Sequence, residues 1–330
     1  MISIVIPAYN EEQNLTVLYA NVREVMDASS TTSDWELVVV DDGSTDGTWS
    51  AIESLSANDV RVRGLRLSRN FGHQAALMAG LAAARGRAVV MMDADLQHPP
   101  PVVPQLVRKW REGFQIVHAV RRDPPDLTLS KRMFSRLYYR LFAFLSGVAI
   151  EPGSADFRLL DRQVVDEVLR FEEEGLFLRG LVHWVGYATA SVPFDCAQRH
   201  AGVSKYNLRK MLTLGWHGVS AFSLVPLRVG IAIGLLSSTI AFLGTIYAIL
   251  GWWLDREAVV PGWASSVAIS SFLFGVLFVF LAVLAEYVGR IAVEVRRRPR
   301  FLVRETTRPA VAAAERLARR GAGADTRSDS

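Results

Sequence analysis

Before residue 115, short apolar runs end in polar clusters four times, and the first three clusters lead directly into a helical pattern. Residues 2–6 are apolar and β-prone. They stop at Pro7 and pass through Ala8-Tyr9-Asn10-Glu11-Glu12 into a helical periodicity that lasts to about residue 28. Residues 35–40 repeat the scheme, ending at Asp41-Asp42-Gly43-Ser44-Thr45-Asp46-Gly47 before a helix over 48–56. A third run, 60–67, leads through Ser68-Arg69-Asn70-Phe71-Gly72-His73 into an alanine-rich helix over 74–84. The fourth, 89–92, stops at Asp93-Ala94-Asp95-Leu96-Gln97-His98-Pro99-Pro100. Unbroken apolar runs suit strands buried on both faces of a parallel sheet, and their alternation with helices predicts a doubly wound α/β fold.

In such a fold the polar residues after each strand converge on one rim, where open α/β sheets bind ligands. Tyr9, Glu11, Asp41, Asp42, Arg69, Asn70, Asp93 and Asp95 all fall there. Any one set also reads as a helix cap or turn; four in succession favour a site. Asp93-x-Asp95 followed by Gln97 offers hard oxygen ligands to Mg²⁺ or Mn²⁺. The first strand lacks a dinucleotide-binding glycine fingerprint, and the chain has no P-loop. Phosphate must then be neutralised by metal and side chains.

Beyond residue 115 the character changes. A strand over 115–120 ends in Arg121-Arg122-Asp123-Pro124-Pro125, and 129–150 is apolar, aromatic and basic together. Lys131, Arg132, Arg136 and Arg140 recur among large apolar residues, as in a helix lying in a membrane interface; a core helix with solvated arginines is the alternative. Glu151-Pro152-Gly153-Ser154-Ala155-Asp156-Phe157-Arg158 is a turn presenting an acid and an arginine. Helices are expected over 161–170 and 177–185, an extended segment over 187–194, and a basic loop over 198–206. Residues 207–224 form a second candidate interfacial helix. The uncharged runs 229–254 and 259–285 each exceed the ~20 residues needed to cross a bilayer, against the alternative of a buried helix pair.

Half of the 330 residues are hydrophobic, with the excess between 229 and 288. Arg228 and Lys210 precede the first run and Arg290, Arg296, Arg297, Arg298, Arg300 and Arg304 follow the second, against Arg256 between them. The positive-inside rule puts both ends in the cytosol. No basic leader precedes the first strand, so the amino-terminal part is expected there too. The single cysteine, Cys196, excludes an intramolecular disulfide and a thiolate metal site. A net charge of +4 is mild, and nothing points to nucleic acid as a partner. Gly230, Gly234 and Gly244 permit helix packing and a homo-oligomer.

Ile6-Pro7-Ala8-Tyr9-Asn10-Glu11-Glu12, Val40-Asp41-Asp42-Gly43-Ser44 and Met92-Asp93-Ala94-Asp95-Leu96-Gln97-His98-Pro99 together resemble the family 2 glycosyltransferases of GT-A fold. More narrowly, the chain resembles the polyprenyl-phosphate glycosyltransferases, which include dolichyl-phosphate mannose synthase and bactoprenol glucosyltransferase. The resemblance runs to about residue 290 and implies a nucleotide-sugar donor, a divalent metal and a lipid phosphate acceptor. It implies that Pro7, Tyr9, Glu11, Asp41, Asp42, Arg69 and Asp93 serve the nucleotide, and that Asp95 and Gln97 ligate the metal. Arg199, Ser204 and Lys205 are matched to the donor diphosphate, and Arg121, Lys131 and Ser135 to the acceptor phosphate, with Lys131 where the family has arginine. Asp95 and Asp156 are the catalytic candidates; Asp156 reads as a base, as an orienting group, or as a structural partner of Arg158.

The expected protein is therefore a GT-A domain over 1–225 with interfacial helices, a two-helix transmembrane anchor over 226–290, and a basic, largely disordered tail over 291–330. Its expected reaction is inverting transfer of glucose from UDP-glucose to undecaprenyl phosphate at the cytosolic face of the inner membrane. Mannose from GDP-mannose, another sugar, or a non-catalytic membrane scaffold are the alternatives. A processive polysaccharide synthase is disfavoured, because the chain has no Gln-x-x-Arg-Trp sequence.

Overall fold

A computed structural model of the chain describes residues 1–29, 34–122, 154–171, 178–195 and 262–307, together with 230, 232–236, 239, 240, 242, 243 and 246. Two units emerge. One comprises Met1–Leu141, Val148–Tyr206 and Arg298–Ser330, the other Phe142–Gly147 and Asn207–Arg297.

In the first unit, β1 (Ile2–Ala8), β2 (Trp35–Asp41), β3 (Val62–Leu67) and β4 (Ala88–Met91) are parallel, in the spatial order β4-β1-β2-β3. Their side chains alternate between two cores, which is why apolar residues dominate both faces of each strand. Ile4, Ile6, Leu37, Val39 and Val90 pack under α1 (Glu12–Ala28), α2 (Thr48–Asn58) and α4 (Val103–Arg111). Val5, Val38, Val40, Val89 and Met91 pack under α3 (His73–Ala83) and α5 (Arg162–Arg170). The doubly wound expectation thus holds for this half. At the strand starts, buried Glu36 accepts from Ser3 Oγ at 2.6 Å and pairs with Arg63 Nη1 at 2.9 Å. That pair locks β1, β2 and β3 together at the end remote from the rim.

The other half is mixed rather than parallel. β6 (Ser154–Asp161) runs antiparallel to both β4 and β5 (Ile116–Arg121), while β7 (Thr189–Phe194) pairs parallel with β5. The stretch from 154, expected to be a turn, is thus a full strand. A helix, α6 (Leu178–Trp184), precedes β7. The tail expected over 291–330 also contains structure: β8 (Val303–Thr306) adds antiparallel to β3 and completes an eight-stranded sheet. It stays because an edge strand needs a partner for only one of its two backbone rows, and Thr307 Oγ1 further accepts the Gly64 N–H at 2.9 Å.

In the second unit, α7 (Trp263–Val295) is helical for 33 residues. Within it, residues 272–293 are long and apolar enough to cross a membrane, with mean hydropathy 2.3, by length and composition alone. The helix continues past residue 285, where the uncharged run stops, because backbone hydrogen bonding does not end with apolarity. Most of the other expected span, 229–254, lies outside the described residues, and its described positions are helical. Both expected interfacial helices also lie outside them.

His118 on β5 is 1% exposed and stacks on His183 at 5.0 Å. Burial, with Arg158 and His183 adding repulsion, pushes its pKa down to about 3 from 6.5. Unfolding exposes an imidazole that takes up a proton, so this stability is present above about pH 6.5 and is lost as pH falls towards 3. Denaturant unfolding between pH 6 and 4 is expected to show a steeper loss for the wild type than for His118→Leu. The difference should approach one proton, about 1.4 kcal/mol per pH unit; equal slopes would contradict it.

Candidate active site

At the rim, the loops after β1 and β2 are fastened to each other. The Asn10 N–H donates to Ser44 Oγ at 3.0 Å, Asn10 Oδ1 accepts the Thr45 N–H at 2.9 Å, and the Glu11 N–H donates to Thr48 Oγ1 at 2.9 Å. Asn10 sits at φ 58°, a left-handed conformation that asparagine tolerates better than most residues. Gly43, at φ 71°, lies so close to the loop after β3 that a Cβ would come within 2.4 Å of the Arg69 carbonyl carbon. Only glycine fits.

Asp42 draws that same loop in, accepting N–H bonds from Phe71 at 2.8 Å and Gly72 at 2.9 Å, just ahead of α3. Burial nevertheless leaves its carboxyl above the usual range. Asp41 is fully buried; its Oδ1 accepts the Ser44 N–H at 2.8 Å and its Oδ2 lies 3.5 Å from Arg66 Nε. Both acids are therefore engaged with the protein's own groups, holding the rim in shape. Pro7 is buried in β1, Tyr9 is 46% exposed, and Arg69 lies over the Phe71 ring at 4.1 Å.

The remaining acids of the rim act on one another electrostatically. Burial raises the pKa of Glu11, whose carboxylate accepts from Asn14, and repulsion from Asp95, Asp46 and Asp93 raises it further. Burial also raises Asp93, with Asp156 and Asp95 adding to the effect and His98 and His73 opposing it. The Asp93 side chain keeps 31% of its surface, yet its Oδ1 is sealed from solvent and makes no hydrogen bond among the described residues. His73, the first residue of α3, holds Nε2 3.4 Å from that oxygen and 3.5 Å from Asp156 Oδ2. Asp156 Oδ1 lies 3.3 Å from Nη2 of buried Arg158, and Asp95 Oδ1 accepts the Gln97 N–H at 3.1 Å.

Asp93 thus lies within electrostatic reach of Glu11, Asp95 and Asp156. Arg121 is exposed at the end of β5. Lys131, Ser135, Arg199, Ser204 and Lys205 lie outside the described residues. The sequence pattern missed His73 and His98. Their only signal was position, His73 opening a helix at the rim and His98 three residues past Asp95.

The Glycosyl transferase family 2 model matches residues 3–169, from β1 through nearly all of α5. The chain belongs to glycosyl transferase family 2. It is 39% identical over 304 residues to an uncharacterized glycosyltransferase of Bacillus subtilis (strain 168), covering 92% of this chain and 93% of that one. It is 38% identical over 312 residues to the SfII prophage-derived bactoprenol glucosyl transferase of Shigella flexneri, covering 93% and 98%. A solved structure similar to it is glucosyl-3-phosphoglycerate synthase from Mycobacterium tuberculosis in complex with Mn²⁺, UDP and phosphoglyceric acid. The identity is 23%, the TM-score 0.44, and the coverage 65% of this chain and 74% of that chain. The protein is a glycosyltransferase, with a mixed α/β sheet of GT-A-like kind.

Because burial raises Asp93, its ionised form opposes folding. That opposition is full above the folded-state pKa and is relieved as pH falls through it. Asp93→Asn should therefore raise the melting temperature near pH 7.5, at about 2–4 °C per kcal/mol relieved, while sugar transfer falls at least ~10-fold. A variant that melts lower than wild type would contradict this account of Asp93.

Proposed function

We propose that this glycosyltransferase moves glucose from UDP-glucose to a polyprenyl phosphate, of the undecaprenyl kind, with inversion at the anomeric carbon. The observation that carries this reading is full-length similarity to a bactoprenol glucosyl transferase over 93% of the chain. The meeting of Asp93 and Asp156 on one imidazole supports it, since donor-side and acceptor-side acids must come together. Mannose from GDP-mannose is the second reading for the donor.

Pro7, Tyr9, Glu11, Asp41, Asp42, Arg69 and Asp93 would form the nucleotide side, with the rim loops pre-set by their mutual hydrogen bonds. Asp95 and Gln97 would hold Mg²⁺ or Mn²⁺. The residues fit such an ion: Glu11, Asp93 and Asp95 are hard oxygen donors that repel one another, and Asp93 Oδ1 makes no hydrogen bond among the described residues. Among the described residues no three His, Cys, Asp or Glu side chains form a ready-made cage. A divalent cation there supplies Lewis-acid stabilisation of the leaving diphosphate. Arg199, Ser204 and Lys205 would neutralise the diphosphate, and Arg121, Lys131 and Ser135 would hold the acceptor phosphate. That phosphate is largely ionised near neutral pH, its second pKa being near ~6, so it needs no strong base. Asp156, held by Arg158 and His73, orients it.

We infer a catalytic domain over 1–225 and a two-helix anchor over 226–290, with the catalytic domain and both termini on the cytosolic side of the inner membrane. β8 supports this topology. The chain leaves the first unit at Tyr206 and rejoins it at Arg298, so any crossings between them must be even in number. If α7 is one, the run 229–254 is the natural other.

The deciding experiment is a donor screen on the purified full-length protein with polyprenyl phosphate and Mn²⁺ or Mg²⁺. UDP-glucose alone should give lipid-linked sugar, and chelation should abolish it until metal is restored. Transfer from GDP-mannose alone would overturn the donor assignment, and no transfer from any donor would overturn the reading. Asp95→Ala should lower kcat by about 10²–10³-fold with the melting temperature nearly unchanged; retained activity would remove Asp95 from the machinery.

A further inference from the structure

The loop after β4 is closed by one side chain. His98 is 5% exposed, and its Nδ1 accepts the Asp93 N–H at 2.9 Å. To accept there, the ring must carry its proton on Nε2. Leu96, between them, sits at φ 62°, in the left-handed region that a leucine rarely adopts, so the loop keeps this turn only while both ends are fastened.

The other side of the ring reaches a different strand. His98 stacks on Phe157 at 4.9 Å and 18°, and Phe194 of β7 meets it edge-on at 6.2 Å. Phe157 directly follows Asp156 on β6. One imidazole thus ties the Asp93–Asp95 loop by a hydrogen bond and the Asp156 strand by a ring stack.

We propose that His98 is a positioning residue for sugar transfer, setting Asp93 and Asp95 in register with Asp156. Its two contacts are separable by substitution. Phenylalanine keeps a ring for the stack and cannot accept the Asp93 N–H. Asparagine places a carbonyl oxygen near the Nδ1 position without the ring. If the acceptor governs the loop, asparagine rescues what phenylalanine loses.

The proposal rests on the transfer reading of the site, so the test pairs activity with a readout that needs no substrate. In the full-length protein, amide hydrogen exchange across residues 93–98 should accelerate at least ~10-fold in His98→Phe and stay within ~3-fold of wild type in His98→Asn. With the donor that the wild type uses, His98→Phe should lower kcat at least ~10-fold with KM for the nucleotide sugar within ~3-fold, and His98→Asn should recover kcat to within ~3-fold. Wild-type exchange and kcat in His98→Phe would overturn the proposal. So would equal losses in both variants. If His98→Phe does not fold, His98→Ala takes its place: faster exchange in His98→Ala with protection restored in His98→Asn supports the role, and wild-type protection in His98→Ala overturns it. A wild type that transfers no sugar would sink the transfer reading, while hydrogen exchange still answers for His98.

Discussion

Carboxylates that repel one another at one rim are the condition to which the rest of the sheet answers. Glu11 and Asp93 are both pushed towards their neutral forms by burial and by neighbouring acids. Left to itself, such a cluster would splay into water. Four parallel strands prevent this, because their registers are fixed by cores on both faces and cannot slip without turning apolar side chains outward. The rim loops are then fastened in pairs, Asn10 to Ser44 and Asp42 to the backbone ahead of α3. Rigidity below and hydrogen bonds above keep the acids where a cation and a diphosphate could offset their charge.

The reversal of β6 has its own role in this arrangement. Met91 pairs with Arg158, and continuing that antiparallel register by two residues sets Asp93 opposite Asp156. A parallel neighbour would bring only its own C-terminal end to the rim. The antiparallel one brings its N-terminal end instead, so Asp156 arrives on rigid backbone and Phe157 and Arg158 point to alternate faces behind it. Phe157 joins the core that includes Val90 and Met92, while Arg158 lies beside Asp156 and opposite His118.

Much of this was legible in the chain. Residues 35–40 and 89–92 announce themselves as buried strands because both of their faces are covered, and the acids that end them fall on one rim for the same reason. Strand direction is not written locally, however: residues 154–161 look the same whichever way they run, and only their pairing with β4 and β5 decides it. β8 was illegible because Val-Arg-Glu-Thr on a sheet edge carries no apolar run, and its partner lies far back in the chain. Asp41 and Asp42 were visible as acids, but not that their oxygens fasten neighbouring loops. His73 and His98 act through residues distant in sequence, which no spacing rule captures.

The last strand of the sheet is also the last to be made. Gly64 donates to Thr307 across 243 residues of chain, so β3 leaves the ribosome with its outer edge bare. At roughly 5–20 residues per second, that edge waits on the order of 10–50 s for its partner. An uncovered strand is a template for pairing with another chain. The parallel half of the domain can thus assemble early, but its sheet closes only in a molecule whose long apolar helix is already complete. Products truncated before β8 keep that edge of β3 open.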